Sequence, residues 1–283
     1  MKYLAYTRCE FLRGFRYRAN YWATLVIRSG AAIPESSFRY RANYWATLGG
    51  AAILVVIQWS LWTAVYRNTG PIAGISLGSM ISYAMMGRVV SGFLSEPVAL
   101  PAGKRIWSGE IVHDLVKPAD LHFQLLFQNL GNALYKLVST GLPLLTVLWS
   151  TGVLKVPRLP VLAVFAMSML MGYVTVFSTS LLSAVITFHT KSRVGIDHVY
   201  TVVELLSGLY FPLDFFPGWL RRVADFLPFK SIHYVPLGIW SGIIAPGAVA
   251  SSLLHQLIWT ILMVVASRVL WSGALRSLTI QGG

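Results

Sequence analysis

The sequence is poor in charged residues and has almost no cysteine. Charged side chains make up 12% of its 283 residues, about half of the roughly 25% that is usual in soluble domains. The single cysteine, Cys9, excludes a disulfide framework within one chain. Hydrophobic residues make up 55% and the mean hydropathy is +0.63, so the composition favours an integral membrane protein.

Acidic residues are especially scarce, with 10 Asp and Glu against 23 Lys and Arg and a formal net charge of +13. Such a basic excess can indicate a nucleic-acid partner, but the apolar content argues against one here. In membrane proteins, basic residues collect in cytoplasmic loops that face anionic lipid. We expect no cleavable signal peptide, because the first long apolar run begins near Ala46, after a basic polar segment.

The sequence also lacks the common catalytic motifs. Gly103-Lys104 is followed by Arg105 and no glycine lies five residues earlier, so a nucleotide-binding loop is absent. No His-Glu-x-x-His or Gly-x-Ser-x-Gly occurs, and the six histidines have no metal-ligand spacing. We therefore predict no catalytic residue, metal site or cofactor in this chain, and any ATP that drives it would be hydrolysed by another chain.

Long apolar runs dominate the rest of the chain, and most are close to the roughly 20 residues that cross a bilayer. They predict an all-α integral membrane protein with six transmembrane helices, at 46–66, 75–93, 136–154, 159–187, 194–212 and 249–270. With the N-terminus inside, 16 basic residues lie in cytoplasmic segments and 6 in external ones, and Arg88 lies within the second span. This asymmetry predicts that both termini are cytoplasmic.

Residues 1–48 form a separate basic and aromatic segment, which we predict to be an amphipathic helix lying in the membrane interface. It contains a duplication, because the eleven residues Phe15–Leu25 recur unchanged at Phe38–Leu48. Two copies without a third do not indicate a repeat architecture. A recent in-frame duplication or a sequence error explains them better. The transmembrane remainder of the chain is then 49–283.

Two long loops separate the predicted spans. The cytoplasmic loop, 94–135, contains a polar island at 108–118 that has the pattern of a short amphipathic helix. Ser108 caps its start, and Pro118 ends it. The external region, 214–247, is apolar and is divided by Pro217, Pro228 and Pro236. This pattern predicts short re-entrant helices in the outer leaflet, which must be buried in protein.

Several motifs resemble one known family. They are Tyr-Arg-Ala-Asn at 17–20 and 40–43, Ser-Gly-Glu-Ile followed by Asp-Leu-Val-Lys-Pro at 108–118, and Ser-Gly-Leu-Tyr-Phe-Pro-Leu-Asp-Phe-Phe-Pro at 207–217. With these motifs the chain resembles type-2 ATP-binding-cassette (ABC) transporter permeases of the bacterial drug-efflux-related branch. The resemblance implies six spans, an interfacial N-terminal helix, a coupling helix between spans two and three, and re-entrant helices before span six.

The resemblance assigns roles to named residues. Contact with an ATPase is expected at Ser108, Gly109, Glu110, Ile111, Asp114, Leu115, Lys117 and Pro118. The external re-entrant positions are Pro212, Asp214, Pro217, Pro228 and Pro236. A substrate path is suggested by intramembrane Arg88 and Glu204, with Tyr83 and Tyr210 beside them. Instead of lining a substrate path, Arg88 and Glu204 could form a structural pair or lie near the membrane interface. The tyrosines could instead serve only in packing.

The function that the resemblance implies is that of the permease subunit of an ABC exporter in the bacterial cytoplasmic membrane. It would move an amphipathic or lipid-like substrate, or a drug. Its expected partners are two ABC ATPase subunits, which would bind ATP and Mg, a second permease copy or related permease, and membrane lipid, but no nucleic acid. The alternative is an ATP-independent channel, carrier or scaffold.

Overall fold

The computed structural model describes residues 3–13, 35–94, 120–154, 156–190 and 194–276. Every regular element in these ranges is helical, and they contain no β-strand. One isolated bridge between Ile72 and Ile75 closes the turn that follows the first long helix. The prediction of an all-α fold is confirmed.

Ten α-helices make up the described part of the chain. They are α1 (3–13), α2 (Glu35–Tyr66), α3 (Leu77–Leu94), α4 (Leu121–Lys136), α5 (Leu142–Ser150), α6 (Leu159–Thr190), α7 (Val194–Ser207), α8 (Gly218–Phe226), α9 (Tyr234–Ser241) and α10 (Pro246–Arg276). A π-helical turn, Leu137–Gly141, joins α4 to α5, and 3₁₀ turns at Leu213–Phe215 and Pro228–Ser231 flank α8.

Four helical segments are long and apolar enough to cross a membrane: Tyr44–Tyr66, Leu121–Ser150, Leu159–Val185 and Pro246–Ala274. Two helices at predicted spans are not among them. Helix α3 has 18 residues and carries Arg88, whereas α7 has only 14 residues, fewer than the roughly 20 that a span needs. A multi-pass helical membrane protein is therefore confirmed, and the count of six spans stays a prediction.

The third span begins earlier than the apolar run indicates, at Leu121 instead of Lys136. Asp120 caps the helix, since its carboxylate accepts hydrogen bonds from the backbone N–H groups of His122 and Phe123 at 3.0 and 3.3 Å. Polar side chains lowered the hydropathy of this stretch, but His122 and Gln124 are buried in the protein. The loop predicted at 94–135 therefore ends at Asp120.

Helices α6 and α10 pack together through hydrogen-bonded polar side chains. Gln256 donates to the backbone carbonyls of Ser168 and Ser231 at 2.8 and 2.7 Å, and its amide oxygen accepts from Ser168 Oγ at 2.8 Å. The hydroxyls of Thr175 and Thr260 are 3.0 Å apart. Without water in the hydrocarbon core, small polar residues hold neighbouring helices together in this way.

The second copy of the duplicated segment, Phe38–Leu48, is helical and runs directly into the first span as part of α2. The first copy, Phe15–Leu25, lies outside the described residues. Helix α1 packs closely on α4, because a Cβ at Gly131 would lie only 3.0 Å from the Cβ of Glu10. The interfacial position of residues 1–48 stays a prediction.

Deleting residues 26–48 tests whether the duplicated copy is needed. Because the two copies are identical, deleting 26–48 or 15–37 yields the same chain, so the described helix from Phe38 onward is retained. We expect this variant to reach the membrane fraction at the full-length level with an unchanged unfolding temperature. Deletion of Tyr44–Tyr66, which has the same length, is the control that removes a span. Loss of insertion in the first variant would show that the extra copy is required.

Candidate functional site

Helix α7 ends at a glycine that no other residue can replace without strain. Gly208 has a left-handed backbone with φ of +81°, a conformation that favours glycine at helix C-termini. A Cβ at this position would also lie 2.9 Å from Tyr83 Oη and 3.0 Å from Tyr234 Cβ. Both the backbone angle and the close approach of two other segments therefore require glycine.

Side chains from other elements satisfy the backbone where the helix stops. The Tyr83 hydroxyl donates to the Gly208 carbonyl, and Ser207 Oγ donates to the Glu204 carbonyl at 2.7 Å. Ser207 Oγ also lies 2.8 Å from Nδ1 of His233. Unpaired carbonyls are costly where water is absent, so these contacts allow a helix to end among buried side chains.

His233 stays neutral at this position. Its side chain is buried, and burial, followed by repulsion from Arg88, lowers the pKa of His233 to about 3. Protonation near neutral pH would place a second cation beside Arg88 in a site with little water. His233 therefore serves as a neutral hydrogen-bonding partner of Ser207.

A polar cluster lies beside this helix end and contains the residues of the predicted substrate path. Arg88 Nε donates to Gln58 Oε1 at 3.0 Å, and its Cζ lies 5.9 Å from the ring centroid of Tyr210. The Tyr210 hydroxyl donates to Glu204 Oε2 at 2.8 Å. Within the described chain no ion pair of 4 Å or less joins Arg88 to Glu204, so Tyr210 connects them.

The cluster lies at the surface of the chain, in the second half of α2 and of α3 and one turn before the end of α7. Arg88 comes eleven residues after Leu77, about 16 Å along the helix axis, in a bilayer core about 30 Å thick. Arg88, Gln58 and Glu204 are half-buried, and Tyr210 is 41% exposed. The arrangement presents a cation, a carboxylate, an amide and a phenol on one face formed by α2, α3 and α7. Their role in a substrate path stays a prediction.

The predicted external region consists of short helices held together by charged groups. Asp214 accepts from the Tyr234 hydroxyl at 2.8 Å and pairs with Arg221 at 2.9 Å, while Lys230 pairs with Asp225 at 2.8 Å. Burial and the charge of Asp214 raise the pKa of Tyr234, so its hydroxyl remains a donor. These pairs fix α8 and the adjoining 3₁₀ turns to the start of α9.

The prolines of this region lie at the starts of its short helices. Pro212 and Pro217 precede the first 3₁₀ turn and α8, Pro228 begins the second 3₁₀ turn, and Pro236 lies in the first turn of α9. Proline is tolerated at such positions because the first helical N–H groups have no partner within the helix. The location of this region in the outer leaflet stays a prediction.

The predicted coupling residues, 108–118, lie outside the described residues. The described chain resumes at Asp120, which is anchored to two other elements. Its carboxylate pairs with Arg268 of α10 at 2.7 Å, and its backbone N–H donates to the Tyr3 hydroxyl of α1 at 3.1 Å. The Arg268 guanidinium also lies 5.0 Å from the ring centroid of Phe123. The end of the 94–120 segment is therefore fixed to α10.

From the sequence, no role was assigned to Gln58 of the cluster or to Ser207 and His233 at the adjoining helix end. Gln58 could have been singled out from the sequence, because an amide side chain within a run of apolar residues is rare in a membrane span. Ser207 and His233 are separated by 26 positions and nothing in the sequence pairs them. The described residues contain no group of three or more His, Cys, Asp or Glu side chains that could hold a metal ion.

Substitution of Gly208 tests the described helix end. We expect Gly208→Ala to destabilise the protein by about 1–3 kcal/mol, because alanine would adopt a left-handed conformation and contact Tyr83. The measurement is thermal unfolding of the purified protein in detergent. Gly218→Ala is the matched control, since nothing lies within 4 Å of a Cβ there. Equal unfolding temperatures for the two variants would contradict the geometry at Gly208.

Comparison with known proteins identifies the family. The family model described as ABC-2 family transporter protein matches residues 52–282, which is most of the chain and begins just after the duplicated segment. No curated protein and no solved structure matches the chain. The four membrane-length helices agree with the family match. The chain therefore belongs to the ABC-2 transporter family and is a multi-pass membrane protein.

Proposed function

We propose that this chain is the permease subunit of an ABC exporter that moves an amphipathic or lipid-like substrate across the bacterial cytoplasmic membrane. The family match supports a transporter subunit, and the polar cluster at Arg88 carries the proposal of a substrate path. ATP and Mg would be bound by a separate ATPase, because the sequence has no nucleotide-binding loop.

The position of the cluster supports a paired permease. Arg88 and Glu204 are half-buried, and an arginine or a carboxylate within a membrane protein's apolar helices is costly in lipid and faces protein or water. We infer that the face formed by α2, α3 and α7 lines a path shared with a second permease copy or a related permease. In this arrangement α3 and α7 also cross the membrane, as the second and fifth of six spans, and both termini are cytoplasmic.

The coupling route we propose runs through the segment before Asp120. Two ATPases that close on ATP would push on the 108–118 segments of two permeases. Ile111 and Leu115 would anchor each segment, and Glu110, Asp114 and Lys117 would contact the ATPase. Because Asp120 pairs with Arg268, movement of this segment would pass directly to the end of α10.

Reconstitution with and without the ATPase tests this function. We expect the purified chain alone to hydrolyse no ATP, because it lacks the phosphate-binding loop. Together with an ABC ATPase that co-purifies with it, it should export a fluorescent amphiphile from vesicles only when ATP is added. Hydrolysis by the rigorously purified single chain would contradict the need for a separate ATPase, and equal transport without ATP would favour a carrier or channel instead.

Charge reversal at Asp114 tests the coupling segment. We expect Asp114→Lys to leave the permease at its normal level in the membrane, since surface substitutions usually change stability by within about 0.5 kcal/mol. Association with the ATPase should weaken by about 2–5 kcal/mol, because a buried interfacial charge loses its partner. The measurements are co-purification and ATP-dependent export.

Arg158→Glu serves as its control, because this exposed residue lies in the turn before α6 that is predicted to be external. It should leave both readouts unchanged. If Asp114→Lys binds the ATPase and exports at the wild-type level, the assignment of the ATPase contact to 108–118 is wrong. Residues 189–193 are then the next segment to test.

A further inference from the structure

Most of the Arg88 guanidinium has no partner in the described chain. Arginine has five N–H donors, and within the described ranges Arg88 uses only Nε, which donates to Gln58 Oε1 at 3.0 Å. No described carboxylate lies within ion-pair distance of Arg88. Its nearest acidic neighbour along the cluster, Glu204, accepts instead from Tyr210. The two terminal nitrogens are therefore available to a ligand.

The neighbours of Arg88 fix the direction in which those nitrogens point. The Nε hydrogen bond restrains the plane of the guanidinium on the side of α2, and the Tyr210 ring lies 5.9 Å from its central carbon. A planar guanidinium held in this way presents two parallel N–H groups, the geometry that binds carboxylate or phosphate through two hydrogen bonds.

Apolar side chains surround the polar groups on the same surface. Leu54 and Leu61 lie four residues before and three residues after Gln58, hence on the same face of α2, and both are exposed. On α7, Leu205 follows Glu204 in the sequence and is 41% exposed, so this helix also has accessible apolar area near the cluster. A ligand at Arg88 would therefore meet a charged group at one point and hydrocarbon on either side.

We propose that the Arg88 terminal nitrogens and the Gln58 amide N–H₂ bind the single anionic head group, phosphate or carboxylate, of an amphipathic substrate whose chain lies against α2 and α7. This proposal rests on the proposed function and names the class of its substrate. Glu204 lies next to the same site and repels the anion. It therefore limits the affinity, so that the substrate can leave the site again.

Binding to the permease without ATP tests the proposal directly. The full chain is placed in nanodiscs of zwitterionic lipid and titrated with dodecyl phosphate, with dodecylphosphocholine of the same chain length, and with inorganic phosphate. We expect dodecyl phosphate to bind about tenfold more tightly than dodecylphosphocholine, because only the former offers a terminal phosphate to the two Arg88 nitrogens. Inorganic phosphate should bind more weakly than dodecyl phosphate, because it has no chain to contact α2 and α7.

Variants of the two charged residues should change the binding in opposite directions. Arg88→Gln should remove the roughly tenfold preference for dodecyl phosphate, and Arg88→Lys should keep part of it, since lysine is a point charge without the planar fork. Glu204→Gln should tighten dodecyl phosphate binding by several-fold, because the repelling carboxylate is gone. Arg158→Gln is the control for a general loss of positive charge.

Three results would overturn the proposal. They are unchanged dodecyl phosphate binding in Arg88→Gln, equal affinities for dodecyl phosphate and inorganic phosphate, and unchanged or weaker binding in Glu204→Gln. The last variant keeps the test decisive if Arg88→Gln does not fold. Because no ATPase takes part, failure here would leave ATP-driven export intact, and failure of export would leave this binding result intact.

Discussion

The end of α7 at Gly208 is the constraint on which the surrounding structure depends. A helix that stops among buried side chains exposes carbonyl groups that water cannot reach, and each would cost free energy if left unpaired. The Tyr83 hydroxyl pairs with the Gly208 carbonyl, and His233 with Ser207. These contacts require α3, α7 and the start of α9 to meet at one point, and they bring Tyr210 next to Arg88.

The described helices differ in how firmly they are tied together. Helices α6 and α10 share hydrogen bonds through Gln256 and through the pair Thr175 and Thr260, whereas α2 contributes exposed apolar side chains along much of its length. Arg88 is held to α2 through the single bond to Gln58. The α6 and α10 pair thus forms a firmly packed side of the protein, and the cluster lies on a side where helices can separate with fewer hydrogen bonds lost.

Hydrophobic runs were sufficient to predict an all-α membrane protein, and family motifs were sufficient to predict its family. They failed where buried polar residues belong to a helix, as at His122 and Gln124, because hydropathy counts a polar side chain that is buried in the protein as if it were exposed. The pairing of Tyr83 with Gly208 could not be predicted, since 125 positions separate the two residues. The sequence did place Arg88 and Glu204 in apolar surroundings, but it gave no sign that Tyr210 connects them.

The accessibility of the α2 and α7 face to water tests the central claim most directly. In a Cys9→Ser background, cysteine is introduced at Leu205, beside the cluster, or at Ile258 of α10, about 18 Å along its helix from Pro246 and 49% exposed. Both are treated in intact membranes with a charged maleimide that cannot cross the bilayer. Labelling of Leu205→Cys but not of Ile258→Cys is the predicted result. Equal protection of both positions would place the cluster against lipid and contradict a transport path at Arg88.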